Sequence, residues 1–277
     1  MSIIPREPSL RDGDGYCSSS LSEKARQGLP LDDILVIDAH CHMGPTYNVF
    51  ACDPTPSGVV ASMNLHGIDK AVISYTGAMG SDYVQGNDRV IAAVRDYPDR
   101  YIGYCVINPH YPDEIPAELE RCFAHDAMRG IKLHAAWHKC PLSDKRYRPA
   151  LEFAAQKNLF VLMHTWSSEE VETAAQYAEE YPGITMIMGH TGGPNMERAA
   201  DLISRHENLY GDFVLSASTE GNVEWLVGKV GAKKLLFGSD MPFISASHIL
   251  SRIAMARISD AEKRDILGLN MQRIFDR

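Results

Sequence analysis

Eight short aliphatic runs recur along this chain of 277 residues, and they restrict its fold more than any other feature. They are ILVIDAH (34–40), KAVISYT (70–76), RYIGYCVI (100–107), RGIKLHA (129–135), LFVLMHT (159–165), ITMIMGH (184–190), NLYGDFVL (208–215) and KLLFGSD (234–240). Each reads as a buried strand, and each is separated from the next by enough chain for a helix. The intervening segments carry helical signals. NDRVIAAVRDYP places Val90, Ile91 and Val94 on one face, with Asn87 or Asp88 as the expected cap and Pro98 as the stop. Ser167 with Glu170 and Ser259 with Glu262 fit capping boxes, the latter followed by apolar Ile266, Leu267 and Ile274. Eight strand–helix units over roughly 250 residues predict an α/β fold, a (β/α)8 TIM barrel. An open doubly wound sheet would usually carry a glycine-rich phosphate turn after its first strand, and DAHCHMGPTYN is not one. The expected organisation is one barrel domain over 34–277 behind an N-terminal extension, 1–33, in which Ser20 and Glu23 fit the capping box of one short helix.

A barrel of this kind places its chemistry at the C-terminal ends of the strands. In order, those ends offer His40 and His42, Lys132 and His134, His164, His190, and Asp240. The first strand poses the question most sharply, because four aliphatic residues lead straight into Asp38, His40 and His42. Strict alternation would put those three side chains on one face. Taken singly, each has an ordinary explanation: a strand-end histidine satisfying a hydrogen bond, a lysine in solvent, a GSD turn. Together they come from distant positions that meet only if the barrel closes. Imidazoles converging with a carboxylate are what a first-row divalent cation requires.

The stretches DAHCH, RGIKLHAAW, FVLMHT, MIMGHTGG and LLFGSDMPF, in that order, resemble the amidohydrolase superfamily. The resemblance is to its amidohydrolase-related (amidohydrolase 2) branch of TIM-barrel metal-dependent hydrolases and decarboxylases. It runs from about residue 34 to the C-terminus. It implies that His40, His42 and His164 ligate metal, and that Asp240 binds metal and handles protons. His190 would be a second-ion ligand in a two-metal site; in a one-metal site it would orient water or contact substrate. Lys132 would be carboxylated to bridge two ions, or would hold a substrate oxygen together with His134. One divalent ion is favoured over two, with Zn²⁺ first and Mn²⁺ or Fe²⁺ as alternatives. The implied reaction is attack of metal-activated water on an amide, lactone or ester carbonyl of a small substrate. The alternative is non-oxidative decarboxylation, or hydration, of a small carboxylic acid. A metal-free binding barrel is a third reading, which metal content would exclude.

Composition narrows the partners. A formal charge of −9 argues against nucleic acid or an anionic membrane surface. No apolar run approaches transmembrane length, and the N-terminal stretch lacks the pattern of a secretory signal. Six scattered cysteines without a C-x-x-C pair fit a reduced, cytoplasmic setting. A small-molecule substrate is expected, and pairing through outer helices into a homo-oligomer is compatible with the barrel. Tyr47, Phe50, Trp137, Trp166 and Phe243 are candidate pocket walls, and Arg146 and Arg148 candidate anion contacts. His138 with Cys140 is a weak second metal motif. His66, His110, His125, His206 and His248 are expected to be surface or packing residues, and Asp212 could face either way.

Overall fold

The computed structural model describes residues 19–46, 49–80, 82–214 and 219–277. Eight strands form one parallel sheet in sequential order: β1 (Ile37–Met43), β2 (Lys70–Tyr75), β3 (Tyr101–Val106), β4 (Met128–Leu133), β5 (Phe160–His164), β6 (Thr185–Gly189), β7 (Leu209–Asp212) and β8 (Leu235–Leu236). The ring is completed by main-chain bonds between the first strand and the segment after the last. Ala39 N–H donates to Phe237 C=O at 2.9 Å, and Asp240 N–H to His40 C=O at 2.9 Å. His42 N–H donates to Met241 C=O at 2.7 Å. The fold is therefore the expected TIM barrel.

The helices of the first half are α1 (Ser20–Arg26), α2 (Pro56–His66), α3 (Tyr83–Asp96), α4 (Ile115–Phe123), α5 (Ala135–His138) and α6 (Arg148–Lys157). Those of the second half are α7 (Ser168–Glu180), α8 (Met196–Arg205), α9 (Asn222–Val230), α10 (Ala246–Ala254), α11 (Asp260–Arg264) and α12 (Asn270–Phe275). Of the three expected capping boxes, Ser167/Glu170 and Ser259/Glu262 are formed. Two caps differ from expectation. Ser19, not Ser20, caps α1, and Glu23 bonds instead to Arg26 and Gln27. In α3 the cap is Asp82, so the helix starts well before Asn87. Asn87 is buried within it, where its side chain bonds Val106 N–H and C=O and Glu118. No helix among the described residues is long and apolar enough to cross a membrane.

The core has two layers. Inside the barrel, Ile37, Ala39, Val72, Tyr104, Phe160, Leu162, Ile187 and Leu236 pack together, joined by Met271 and Ile274 of α12. Tyr104 donates its hydroxyl to Ala39 C=O at 2.8 Å, so the one polar atom of this buried ring is satisfied. The larger layer lies between strands and helices and includes Val36, Cys41 and Met43.

That division corrects the expectation for β1. Ile37 and Ala39 belong to the inner layer and Cys41 and Met43 to the outer, while the register against β2 shifts between Asp38 and Cys41. A bulge there turns both Ala39 and His40 inward. Asp38 consequently leaves the face of His40 and His42. It accepts from His40 N–H at 3.1 Å, from Ser239 N–H at 3.0 Å and from the Ser239 hydroxyl, clasping the first strand to the segment after the last. Part of the extension packs on the barrel: Leu21 is buried, the Ser22 hydroxyl donates to Ala254 C=O, and buried Lys263 donates to Ser19 and Ser22.

Candidate metal centre

His40 and His42 emerge from β1 beyond the bulge, each with one ring nitrogen held from behind. His40 Nδ1 lies 2.8 Å from Asp212 Oδ2, and His42 Nδ1 lies 2.8 Å from Ser74 Oγ at the end of β2. Their Nε2 atoms converge on Asp240, whose Oδ1 is 3.0 Å from His42 and 3.6 Å from His40. These three residues offer donor atoms all within 4.8 Å of one another, the one such group of three found among the described residues. Lys132, fully buried on β4, brings Nζ to 2.7 Å from His40 Nε2. A cationic donor thus meets His40 Nε2, which identifies that nitrogen as presenting its lone pair to the centre.

His190 and His164 complete the cluster beside this group. His190 Nε2 is 3.1 Å from His164 Nδ1, and the His190 ring lies 5.2 Å from that of His40. His134 stacks on His164 at 4.1 Å with the planes 11° apart, and its Nδ1 accepts from Trp137 N–H. His190 Nδ1 is buried with no hydrogen-bond partner. All seven residues read from the strand ends therefore meet in one place.

The turns that deliver two of these side chains are unusual. Asp240 has φ 60°, His190 φ 62° and Thr191 φ 44°, all left-handed and none of them glycine. Such conformations cost on the order of 1–3 kcal/mol each and persist only where surrounding bonds impose them. Here Asp240 N–H is tied to His40 C=O, and His190 N–H to Asp212 Oδ1 at 2.7 Å. Gly238 allows the close approach: a Cβ there would lie 2.9 Å from His40 Cβ.

Burial controls the charges. It pushes His164 down to about 2 and His190 to about 4, and drives His40, His42 and His134 below the ordinary imidazole value. These rings are neutral at pH 7, the form that ligates metal. Burial also lowers Lys132, to about 8, against the pull of Asp240 and Asp212. For Asp240 burial favours the acid, but the bond with His42 and the neighbouring rings outweigh it and hold the carboxylate ionised. Two neutral imidazoles anchored through their far nitrogens, with an ionised carboxylate between them, fit a first-row divalent cation.

Two partners were not singled out by the strand-end reading. Ser74 sits in an ordinary VISY run, with nothing local to mark it. Asp212, fully buried, faces the centre. Among the aromatics, Phe243 stacks with His42 at 5.4 Å, Trp166 meets His190 edge-on at 5.5 Å, and Trp137 lies 5.1 Å from His134. Phe50 is 90% exposed, and Tyr47 lies outside the described residues. Arg146 pairs with Asp144 and Arg148 with Glu180. Cys140 accepts from Arg146, and among the described residues it joins no group of three metal donors with His138.

A family model described as Amidohydrolase matches residues 37–277. No curated protein matches the sequence. Similar solved structures include 5-carboxyvanillate decarboxylase from Novosphingobium aromaticivorans complexed with manganese and 4-hydroxy-3-methoxy-5-nitrobenzoic acid (14% identity, TM-score 0.72, covering 89% of this chain and 97% of that one). Another is 2,6-dihydroxybenzoate decarboxylase from Rhizobium (16%, TM-score 0.71, 88% and 99%). A third is an uncharacterized TIM-barrel protein from Bordetella bronchiseptica (17%, TM-score 0.72, 88% and 99%). At these identities the likeness concerns the fold.

Proposed function

Because the chain belongs to the amidohydrolase family, matched over residues 37–277, we propose that it is a divalent-metal-dependent hydrolase adding water to the carbonyl of a small amide, lactone or ester. The observation that carries this reading is the placement of the Asp240 carboxylate, 3.0 Å from His42 Nε2 and 3.6 Å from His40 Nε2 at the mouth of the barrel. Such a group is prepared to accept a proton, and water addition needs an acceptor at its first step.

His40, His42 and Asp240 would hold the ion, with His164 and His190 adjacent as further ligands; Zn²⁺ and Mn²⁺ both suit the donors. When bound, the ion would supply Lewis-acid polarisation of the carbonyl and make water more acidic. Asp240 takes the proton of the attacking water and passes it to the departing nitrogen or oxygen. His190, with Nδ1 buried and unpartnered, holds the water or a substrate oxygen in line. Lys132, still mostly ammonium at pH 7, steadies negative charge that develops on oxygen, and His134 is placed beside it for substrate contact. Trp166, 44% exposed, and Phe243 form walls suited to a small planar molecule. The products are an acid and an amine or alcohol.

Non-oxidative decarboxylation is the second reading. It is favoured by Lys132, a buried amine suited to a carboxylate, and by the descriptions of two similar structures as decarboxylases of aromatic acids. It requires a proton delivered to carbon, for which Asp240, held ionised, would first have to take one up. Isotopes separate the two. In H₂¹⁸O, hydrolysis of lactones, amides or esters places one ¹⁸O in the new carboxylate. In D₂O, decarboxylation of aromatic acids releases CO₂ and leaves deuterium on the vacated carbon. Deuterium incorporation with CO₂ release, and no turnover of any carbonyl substrate, overturns the hydrolase reading.

A further inference from the structure

Asp212 is a fully buried carboxylate at the end of β7 whose two oxygens are both committed. Oδ2 is 2.8 Å from His40 Nδ1; Oδ1 accepts from His190 N–H at 2.7 Å and from Val214 N–H at 3.3 Å. Its main-chain carbonyl accepts from the Thr191 hydroxyl. One side chain thus joins the first-strand ligand to the left-handed turn carrying His190. We propose that Asp212 is the positioning residue of the centre: it fixes the tautomer of His40, and with it the availability of that ring as a ligand.

A carboxylate can only accept, so His40 must place its proton on Nδ1 to satisfy Asp212. Nε2 is then left with a lone pair aimed at the centre, which is the geometry in which Lys132 Nζ approaches it at 2.7 Å. The opposite tautomer would set two lone pairs against each other at Nδ1 and place a proton on the atom needed as donor. The ring has little freedom to escape. Added Cβ atoms at Gly189 and Gly238 would lie 3.1 Å from His40 Cε1 and 2.9 Å from His40 Cβ, so both flanking backbones already press on it. Behind His42 stands the Ser74 hydroxyl rather than a carboxylate; it can either donate or accept, and the ring's proton is drawn instead to Nε2 by Asp240 Oδ1, 3.0 Å in front. The two imidazoles of the pair are therefore held differently: His40 in one tautomer, His42 in whichever the centre demands.

Asp212→Asn tests the assignment. The amide presents one acceptor and one donor where two acceptors stood. If its oxygen keeps His190 N–H, its NH₂ faces His40 Nδ1 and drives the proton to Nε2. If it turns over, the His190 turn loses its anchor instead. The proposal rests on the metal reading for its consequence but not for its geometry, so the two are measured separately. In metal-free wild-type protein labelled with ¹⁵N-histidine, long-range ¹H–¹⁵N spectra should show His40 protonated at Nδ1. In Asp212→Asn they should show the proton on Nε2 or an exchanging mixture, with Ser74→Ala leaving His40 unchanged. Titration with Mn²⁺ alone, followed by the loss of its free-ion electron paramagnetic resonance signal, should show affinity about 10–100-fold weaker in Asp212→Asn.

His40 protonated at Nε2 in the wild type overturns the proposal, and it does so even if the variant does not fold. So does a folded Asp212→Asn protein that keeps the Nδ1 proton and binds Mn²⁺ as the wild type does. A wild type that takes up no Mn²⁺ while showing the Nδ1 tautomer refutes the metal centre and upholds the role given to Asp212.

Discussion

The two ends of the barrel are built on different terms. At the N-terminal end, Met271 and Ile274 of α12 close the inner layer. The charged groups there are neatly matched: Arg277 donates to Thr185 and Tyr210, and Lys234 to the carbonyls of His206 and Glu207. At the C-terminal end, five histidines, a lysine and two aspartates are crowded together, His190 Nδ1 lacks a partner, and His190, Thr191 and Asp240 adopt left-handed backbone. One end is closed by apolar side chains and satisfied polar groups, around a cavity of about 240 Å³ lined by Phe160, Thr185, Ile274 and Arg277. The other keeps strained turns and unmet bonding capacity, which natural sequences retain where chemistry is done. The pair of ends teaches where a substitution should cost stability and where it should cost activity.

The comparison breaks most visibly at Asp240. Asp240→Asn keeps the side-chain volume but removes the proton acceptor, and kcat should fall about 10²–10⁴-fold. Its melting temperature in chelator-treated protein should fall only modestly, as checked by calorimetry, because the amide keeps an acceptor for His42 although the favourably held carboxylate is gone. The inner layer should behave in the opposite sense. Leu162→Ala, in the fully buried ring beneath the centre, should cost about 2–5 kcal/mol in urea unfolding. Bound metal per folded chain should stay unchanged in that variant.

Acid should expose the contrast without any mutation. His138, His164 and His190 sit at about 4, 2 and 4 against an ordinary 6.5, and His40, His42 and His134 are lowered as well. For these groups the unfolded chain binds more protons, so the stability present above pH 6.5 is lost as pH falls toward their folded values. Asp38 and Asp212, raised from 3.8 to about 7 and about 6, act the other way over pH 4–7. Six imidazoles outnumber two carboxylates. Chelator-treated protein should therefore melt at a lower temperature at pH 5 than at pH 7, and added divalent metal at pH 7 should widen the gap. The smallest effect belongs to the N-terminal end. Arg277→Ala removes two partly exposed hydrogen bonds, should cost about 0.5–1.5 kcal/mol, and should leave kcat and metal content untouched.

The barrel was legible because strand runs and capping signals repeat, and repetition tolerates local error. Asp82 replacing Asn87 as the α3 cap moved one helix boundary without moving a strand. The strand-end residues were legible for the same reason, since a parallel barrel delivers every strand end to one rim. What escaped depended on single tertiary contacts. Alternation placed Asp38 beside His40 and His42, but a bulge, invisible in ILVIDAH, turned it into the clasp on Ser239. Asp212 was undecided because β7 is short, four residues, and its period gives no clear face. Ser74 offered no signal at all, since its value comes only from the ring of His42 lying 2.8 Å away.

Metal content tests the central claim most directly. Purified protein, stripped with chelator, reloaded with Mn²⁺ or Zn²⁺ and desalted, should carry one equivalent per chain by elemental mass spectrometry. His40→Ala and Asp240→Asn should carry far less at the same free-metal concentration. A folded wild type that retains no divalent ion, or variants that retain as much as it does, would contradict the account.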